Sequence, residues 1–326
     1  MTDSSNIHMT PVKWIASVTL LLSIVSIVFL YSRVALSATA TKPPGGTSHG
    51  QAYDQSFGFF TDITDVGWTR LKQRHRSTPN CGPLDCAPEK PGNWYQNNFE
   101  PSFTCLHERR VGGLGDGPKW VCDPHRINKK ECLVYSIGSK NQFDFEKGVI
   151  KDIASNCEIH IFDPTVPNDD PTHKPPYDNV HFHPWGIANS NYQSEDRHAY
   201  KTMSTIVHEL GHEHRRIDLF KIDCEGCEFS TVQGWFDAKV DIRQILVEMH
   251  FGTDFREQLY WEAERKQRLR EGKTPEILDD RGRAKHFLET LQQQQYVVFH
   301  KEANTMGGGG YIEYALIKLG KRFFDE

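Results

Sequence analysis

The chain has 326 residues, a formal net charge of −5, 37% hydrophobic and 25% charged residues, the balance of a globular protein able to bury a sizeable core. Its lysines and arginines are scattered and form no basic face or stripe of the kind that binding a phosphate backbone requires, so nucleic acid is not an expected partner.

In chain order, residues 1–13 form a short tail. Trp14 to Ser32 carries no charged side chain and is bounded by Lys13 and Arg33; as a helix it would be about 27 Å long, close to the hydrocarbon thickness of a bilayer. We read 14–32 as a single transmembrane helix, a signal anchor. A cleaved signal peptide is the alternative, because Ala38-Thr39-Ala40 offers small residues at cleavage spacing, although the apolar run is longer than a usual signal core. The charges flanking the span do not decide its orientation. Residues 33–56, rich in Ser, Thr, Gly and Pro, suit a flexible stem.

Residues 57–130 read as an irregular Cys/Gly-rich extension with one short amphipathic helix from Val66 to Lys72. Cys81, Cys86, Cys105, Cys122 and Cys132 lie among Pro, Gly and Asn. Disulfides formed in a secretory lumen, Golgi or endoplasmic reticulum, would stabilise such a loop-rich segment. Reduced cysteines in the cytosol are the alternative, and no Asn-x-Ser/Thr sequon argues independently for the lumen. Gly112, Gly113, Gly115 and Gly117 imply backbone turns or close approach to a ligand.

From residue 131 to 326 short apolar runs alternate with helical patterns, as in a parallel sheet with crossover helices. Seven strands are predicted: Cys132 to Ile137, Glu158 to Phe162, Val180 to His183, Ile217 to Ile222, Ile242 to His250, Tyr296 to His300 and Tyr311 to Ile317. Helices fit Phe143 to Ser155, Asp196 to His214, Glu228 to Phe236 and two stretches between Asp254 and Gln294. Five prolines between Pro164 and Pro176 forbid a regular crossover helix and predict a long loop.

Polar groups recur where these strands end. The first runs into Gly138 and Ser139, the second into Asp163, the third into His183-Pro184-Trp185-Gly186, the fourth into Asp223 and Glu225, and the fifth into Glu248 and His250. In an open α/β sheet, ligands sit at the carboxyl ends of the strands, where a glycine admits a close approach and an acid can accept bonds from ribose hydroxyls. Strand, glycine, helix, strand, acid is a nucleoside-binding arrangement.

A second chemistry is spelled by His208-Glu209-Leu210-Gly211-His212, the HExxH of a zinc peptidase. On a helix the two histidines would share a face. The extended pattern fails, with Arg215 and Asp218 where glycine and a third histidine belong. The motif also falls in the last turns of a crossover helix, where imidazoles suit the negative end of the dipole. We treat it as a coincidence of a chain with 16 histidines. The C-x-x-C of Cys224 and Cys227 invites a redox or zinc reading but has no second copy.

Several ordered segments resemble a known family: Arg110-Val-Gly and Gly115-Asp-Gly-Pro-Lys-Trp-Val-Cys-Asp123, Val134-Tyr-Ser-Ile-Gly-Ser139 with Phe145-Glu146, Phe162-Asp163-Pro164, Leu219-Phe-Lys-Ile-Asp-Cys-Glu-Gly-Cys-Glu228 and Gln244-Ile-Leu-Val-Glu-Met-His250. They are similar to the methyltransferase-like domain proteins related to methyltransferase-like protein 24 and, more distantly, to the FkbM methyltransferases. The resemblance implies a Rossmann-like class I fold, a seven-stranded mostly parallel sheet with the last strand antiparallel, and S-adenosylmethionine as cofactor. It implies that Gly138 and Ser139 meet the cofactor's amino-acid moiety and Asp163 its ribose; Glu146 and Gly186 are further cofactor-binding candidates. Asn141 stands where relatives carry a second glycine; it tolerates left-handed geometry.

For a hydroxyl acceptor, methyl transfer needs positioning and a general base. The candidates are Asp223, Glu225, Glu248 and His250, with His250 or Asp223 expected as the base and Glu228 expected to cap the following helix. A divalent ion bridging Asp223 and His250 is a further alternative. The expected acceptor is a small molecule or a glycan. Gly112 to Lys119, tied by a Cys105 to Cys122 disulfide, is expected to close over the cofactor as a lid. A zinc peptidase and an inactive Rossmann-like binding module are the competing functions.

Overall fold

A computed structural model of the chain describes residues 54–83, 86, 91–166, 177–250, 280–304 and 311–325. The expected tail, transmembrane helix and most of the stem, most of the proline-rich loop and the first of the two charged helices lie outside these residues. Among the described residues, no helix is long and apolar enough to cross a membrane.

The extension is more structured than its composition suggests. Thr64 accepts a bond from the Gly67 N–H and starts helix α1 (Asp65–Ser77), which outruns the expected Val66 to Lys72 at both ends. Helix α2 (Pro91–Asn97) follows. Strands β1 (Arg109–Val111) and β2 (Lys119–Val121) then pair antiparallel around the glycine-rich segment.

The seven predicted strands all form. In chain order the α/β region has β3 (Leu133–Ile137), α3 (Asp144–Asp152), β4 (Glu158–Phe162) and β5 (Val180–His183). A small sheet of β6 (Trp185–Ile187), β7 (Tyr192–Gln193) and β8 (Ala199–Lys201) comes next, then α4 (Met203–Glu209). The chain continues through β9 (Arg216–Ile222), α5 (Cys227–Asp237), β10 (Asp241–His250), α6 (Asp280–Gln293), β11 (Tyr296–Asn304), β12 (Tyr311–Lys318) and α7 (Lys321–Phe324).

The main sheet has the order β11-β12-β10-β9-β3-β4-β5, with β12 antiparallel to both neighbours and the other pairs parallel. This is a Rossmann-like sheet. The chain builds outward from β3 to β5, then returns to β9 and builds the other way, so β3 and β9 flank the switch point where such sheets open a ligand crevice.

The helix expected from Asp196 to His214 is a single short one. Ala199–Lys201 is taken instead by β8, which pairs with β6 and β7. Thr202 then caps α4 by accepting from the Thr205 N–H, and Gly211, in left-handed backbone at φ +69°, follows close on the helix end. A helical pattern cannot hold a segment whose amides and carbonyls a sheet has already engaged.

Both faces of the sheet are packed, and the extension contributes to each. Trp94, Tyr95 and Phe99 join Tyr135, Phe220, Trp235 and Phe287 in one core; Phe60, Trp68 and Phe103 join Val134, Leu219 and Phe323 in the other. Gln55 and Ser56, expected as the end of the stem, are buried. Their carbonyls accept from the Gly320 N–H and the Arg243 guanidinium.

All eight cysteines are paired: Cys81 with Cys86, Cys105 with Cys122, Cys132 with Cys157 and Cys224 with Cys227. Cys132–Cys157 staples the start of β3 to the residue before β4 and closes a loop across a sequence separation of 25. Replacing both cysteines with alanine is expected to lower unfolding free energy by about 3 kcal/mol, read as a fall in the denaturant midpoint.

Candidate active site

Gly138 adopts φ +79°, and a Cβ there would lie 1.7 Å from the Asp223 carbonyl oxygen. Glycine is therefore required for β3 and β9 to end side by side. The turn after it continues in left-handed backbone through Lys140 (φ 47°) and Asn141 (φ 59°), as the tolerance of asparagine for that region allows.

Asp163, at the end of β4, organises this turn. One of its oxygens accepts from the Ser139 N–H, the Ser139 hydroxyl and the Lys140 N–H at 2.9, 3.2 and 2.7 Å. The other accepts from the Thr165 N–H and hydroxyl at 2.9 and 2.7 Å. Burial raises its carboxyl, but these donors outweigh it and hold the acid below its ordinary range. The carboxylate expected to meet a ribose is thus engaged with the protein's own turn.

Glu146, in the first turn of α3, is fully buried and neither carboxyl oxygen has a hydrogen-bond partner. Burial pushes its pKa up against the pull of Lys221 and of the nearby Ser136 hydroxyl. An orphaned acid behind a glycine turn fits a site that a polar cofactor completes. Gly186 has a different local reason: a Cβ there would meet the Tyr200 ring at 2.4 Å and Pro164 at 3.1 Å.

The β9 end carries the charged centre. Asp223 lies 3.5 Å from the Lys119 ammonium, 3.8 Å from Lys221 and 3.7 Å from His250 Nε2. Burial would raise its pKa; Lys221, Lys119 and His250 reverse that and bring it to about 2. Its side chain stays 20% exposed, so an ionised carboxylate faces the crevice. Glu225 sits in left-handed backbone at the turn, 68% exposed, with an oxygen 3.6 Å from His250 Nε2.

His250 is buried, and one oxygen of Glu228 accepts from its backbone N–H at 2.9 Å and from Nδ1 at 3.1 Å. The other Glu228 oxygen accepts from the Gly226 N–H, which caps the start of α5 as expected. Burial disfavours the imidazolium, yet Glu228, Asp223 and Glu248 outweigh it and raise the pKa to about 9. His250 therefore carries a proton at neutral pH and is unsuited to the part of general base expected of it.

Lys119 was not among the residues expected here. Its ammonium is buried and lies 2.8 Å from Glu313, 3.4 Å from Glu248 and 3.5 Å from Asp223. Burial works against its charge, but the three carboxylates raise its pKa well above the ordinary value. Glu248 also accepts from the Asn304 amide at 2.6 Å. Asp223, Glu248 and His250 have the donor set for a divalent ion, but the position between the carboxylates belongs to the lysine.

The hairpin that delivers Lys119 is clamped. Gln244 of β10 donates to the Cys122 carbonyl at 2.9 Å and accepts from its N–H at 2.8 Å, while Cys122 is bonded to Cys105. Lys221 donates to the Gly138 carbonyl at 2.5 Å, tying β9 back to the turn. The signal that could have found Lys119, Lys221 and Glu313 is a charged residue inside an apolar strand, which is rare unless it is paired.

The HExxH residues do not assemble. The helix ends at Glu209, His208 is 81% exposed and bonded to Glu213, and His212 is buried against Tyr135. Cys224 and Cys227 are joined to each other across the turn between Asp223 and Glu228.

The sheet order, the glycine turn and the acidic strand end together give a Rossmann-like α/β fold with polar groups gathered at its switch point. A family model described as "Methyltransferase domain" matches residues 50–318, and the chain belongs to that family. It is an S-adenosylmethionine-dependent methyltransferase. Comparison with curated proteins gives no match. Among solved structures the chain is similar to the Methanococcus jannaschii fibrillarin pre-rRNA processing protein, at 9% identity and a TM-score of 0.37 over 66% of this chain and 84% of that one.

Two outcomes follow from the charges. His250 titrates at about 9 in the folded chain against an ordinary 6.5, so the stability it contributes, on the order of 3 kcal/mol, is complete below pH 6.5 and is lost as the pH rises through 9. His250→Gln should remove that part of the pH dependence of unfolding. Lys119→Met should destabilise the chain by about 3–5 kcal/mol, because it leaves buried carboxylates uncompensated; adding Glu313→Leu should recover part of the loss in the same unfolding measurement.

Proposed function

We propose that the enzyme methylates a hydroxyl group, that Asp223 holds that hydroxyl and receives its proton, and that the acceptor is a small molecule or a glycan. The observation that carries this reading is a partly exposed, ionised Asp223 packed directly against the glycine turn at the switch point. When bound, S-adenosylmethionine supplies an electrophilic methyl group on a sulfonium centre.

Glu146, Ser139 and the Gly138 turn are assigned to holding the cofactor. Asp163 serves it by fixing the turn and Gly186 by close packing beside Pro164. Asp223 orients the acceptor oxygen; protonated His250 and Lys119 keep Asp223 ionised, and Glu248 and Glu225 complete the acidic wall. An oxygen that has just gained a methyl group is strongly acidic, so a carboxylate titrating at about 2 suffices to take its proton late in the transfer. The ionised Asp223 and the exposed Glu225 beside it suit a neutral, hydroxyl-rich acceptor better than a polyanion.

The four disulfides support a lumenal location, since such bonds persist in oxidising compartments. We extend the proposal to a chain anchored by residues 14–32 and to closer kinship with methyltransferase-like protein 24 and the FkbM enzymes; of the lid expected from Gly112 to Lys119 only 113–117 is retained, because Gly112 packs against α3 and Lys119 is buried on a clamped hairpin.

Calorimetry with S-adenosylmethionine and S-adenosylhomocysteine, paired with transfer of labelled methyl to a panel of free glycans, tests the assignment. Glu146→Ala should weaken cofactor binding about tenfold or more. Asp223→Asn should leave binding within about threefold and lower turnover about a hundredfold. Full turnover in Asp223→Asn, or unaltered cofactor affinity in Glu146→Ala, would refute these roles.

A further inference from the structure

A second cluster of ligating side chains lies on β4, away from the charged centre. His160, in the middle of that strand, is surrounded by the rings of His181, His183 and His212, with centroids 4.9–5.1 Å from its own. One oxygen of Glu158 lies 2.9 Å from His160 Nε2 and 3.3 Å from His212 Nε2. The three donor atoms are all within 4.8 Å of one another. We propose that Glu158, His160 and His212 form a zinc-binding site that joins β4 to the loop following α4.

The two separations from Glu158, 2.9 and 3.3 Å, are close to those of that ion's ligand set. Zinc held at about 2.0–2.2 Å by nitrogen and oxygen in tetrahedral geometry places its ligand atoms about 3.3 Å apart. Two imidazoles and one carboxylate are a donor set that zinc accepts, leaving a fourth position for water.

The groups behind the ligands carry the argument further. A ligating imidazole ordinarily donates its other ring N–H to a fixed partner, which sets its tautomer and orientation. His160 Nδ1 lies 2.8 Å from His183 Nε2, and His212 Nδ1 lies 2.8 Å from the Tyr135 hydroxyl. Each ring can thus move its proton to Nδ1, through exchange with solvent, and present a lone pair at Nε2. Arg215 holds the second Glu158 oxygen at 2.5 Å and leaves the first facing the rings. The same guanidinium lies within hydrogen-bond reach of His212 Nε2 at 3.4 Å, so it gives way when the ion binds. Glu158 is one-third exposed, so the ion has a route from solvent.

His212 is the second histidine of the HExxH, but its partners come from β3 and β4. His208 faces solvent with Glu213 and takes no part. The site ties β4 to the loop following α4 and stands independently of the acceptor assignment.

The test uses the full chain, purified without a histidine tag, stripped with chelator and titrated with zinc chloride, with bound metal counted by mass spectrometry. One zinc per chain is expected. His160→Gln and His212→Gln should each weaken binding by tenfold or more, whereas His208→Ala and His250→Ala should leave it unchanged. Cobalt loaded into the wild-type chain should give the intense visible bands of a four-coordinate site, bleached in the partly exposed Glu158→Gln variant even if the histidine variants fail to fold. No stoichiometric zinc in the wild type, retention of full affinity in folded His160→Gln and His212→Gln, or loss of zinc in His250→Ala would overturn the proposal.

Discussion

Asp223, Glu248 and Glu313 come together at the carboxyl edge of the sheet, and such a gathering of like charges is tolerable because the Lys119 ammonium sits among them at 2.8–3.5 Å. The lysine is contributed by the extension, and its presence lets Asp223 remain ionised while half surrounded by protein. His250 does the same from the opposite side, held protonated by Glu228. Asp223 thus presents to solvent a negative charge whose state does not change across physiological pH.

That arrangement separates holding a charge from moving a proton. The histidine resembles a base when read beside Asp223 in sequence, but its charge is fixed by Glu228, 22 residues away, which bonds both its backbone and its ring. Asp163 shows a related division: an acid placed to greet a ligand is spent on shaping the turn that the ligand meets. Glu146, buried in the first turn of α3, keeps its carboxyl oxygens out of that network.

The sheet was legible because parallel strands buried on both faces read as continuous apolar runs, and Gly138 was legible as a glycine at a strand end. The short β6-β7-β8 sheet was not, because its strands have two or three residues each and carry no period. Lys119 escaped because its partners are 129 and 194 residues distant, and no local pattern encodes a contact at that range. The HExxH, set aside as a coincidence on its failed extended pattern, also lacks the helix it needs, which ends at Glu209 before Gly211.

The clamp between Gln244 and Cys122 makes the leading segment a structural part of the sheet that it precedes. The counter-charge for Asp223, Glu248 and Glu313 arrives on that hairpin, so a chain cut back to the α/β region would leave the three acids facing one another without it. The extension and the sheet therefore fold as one unit, although they look like two in the sequence.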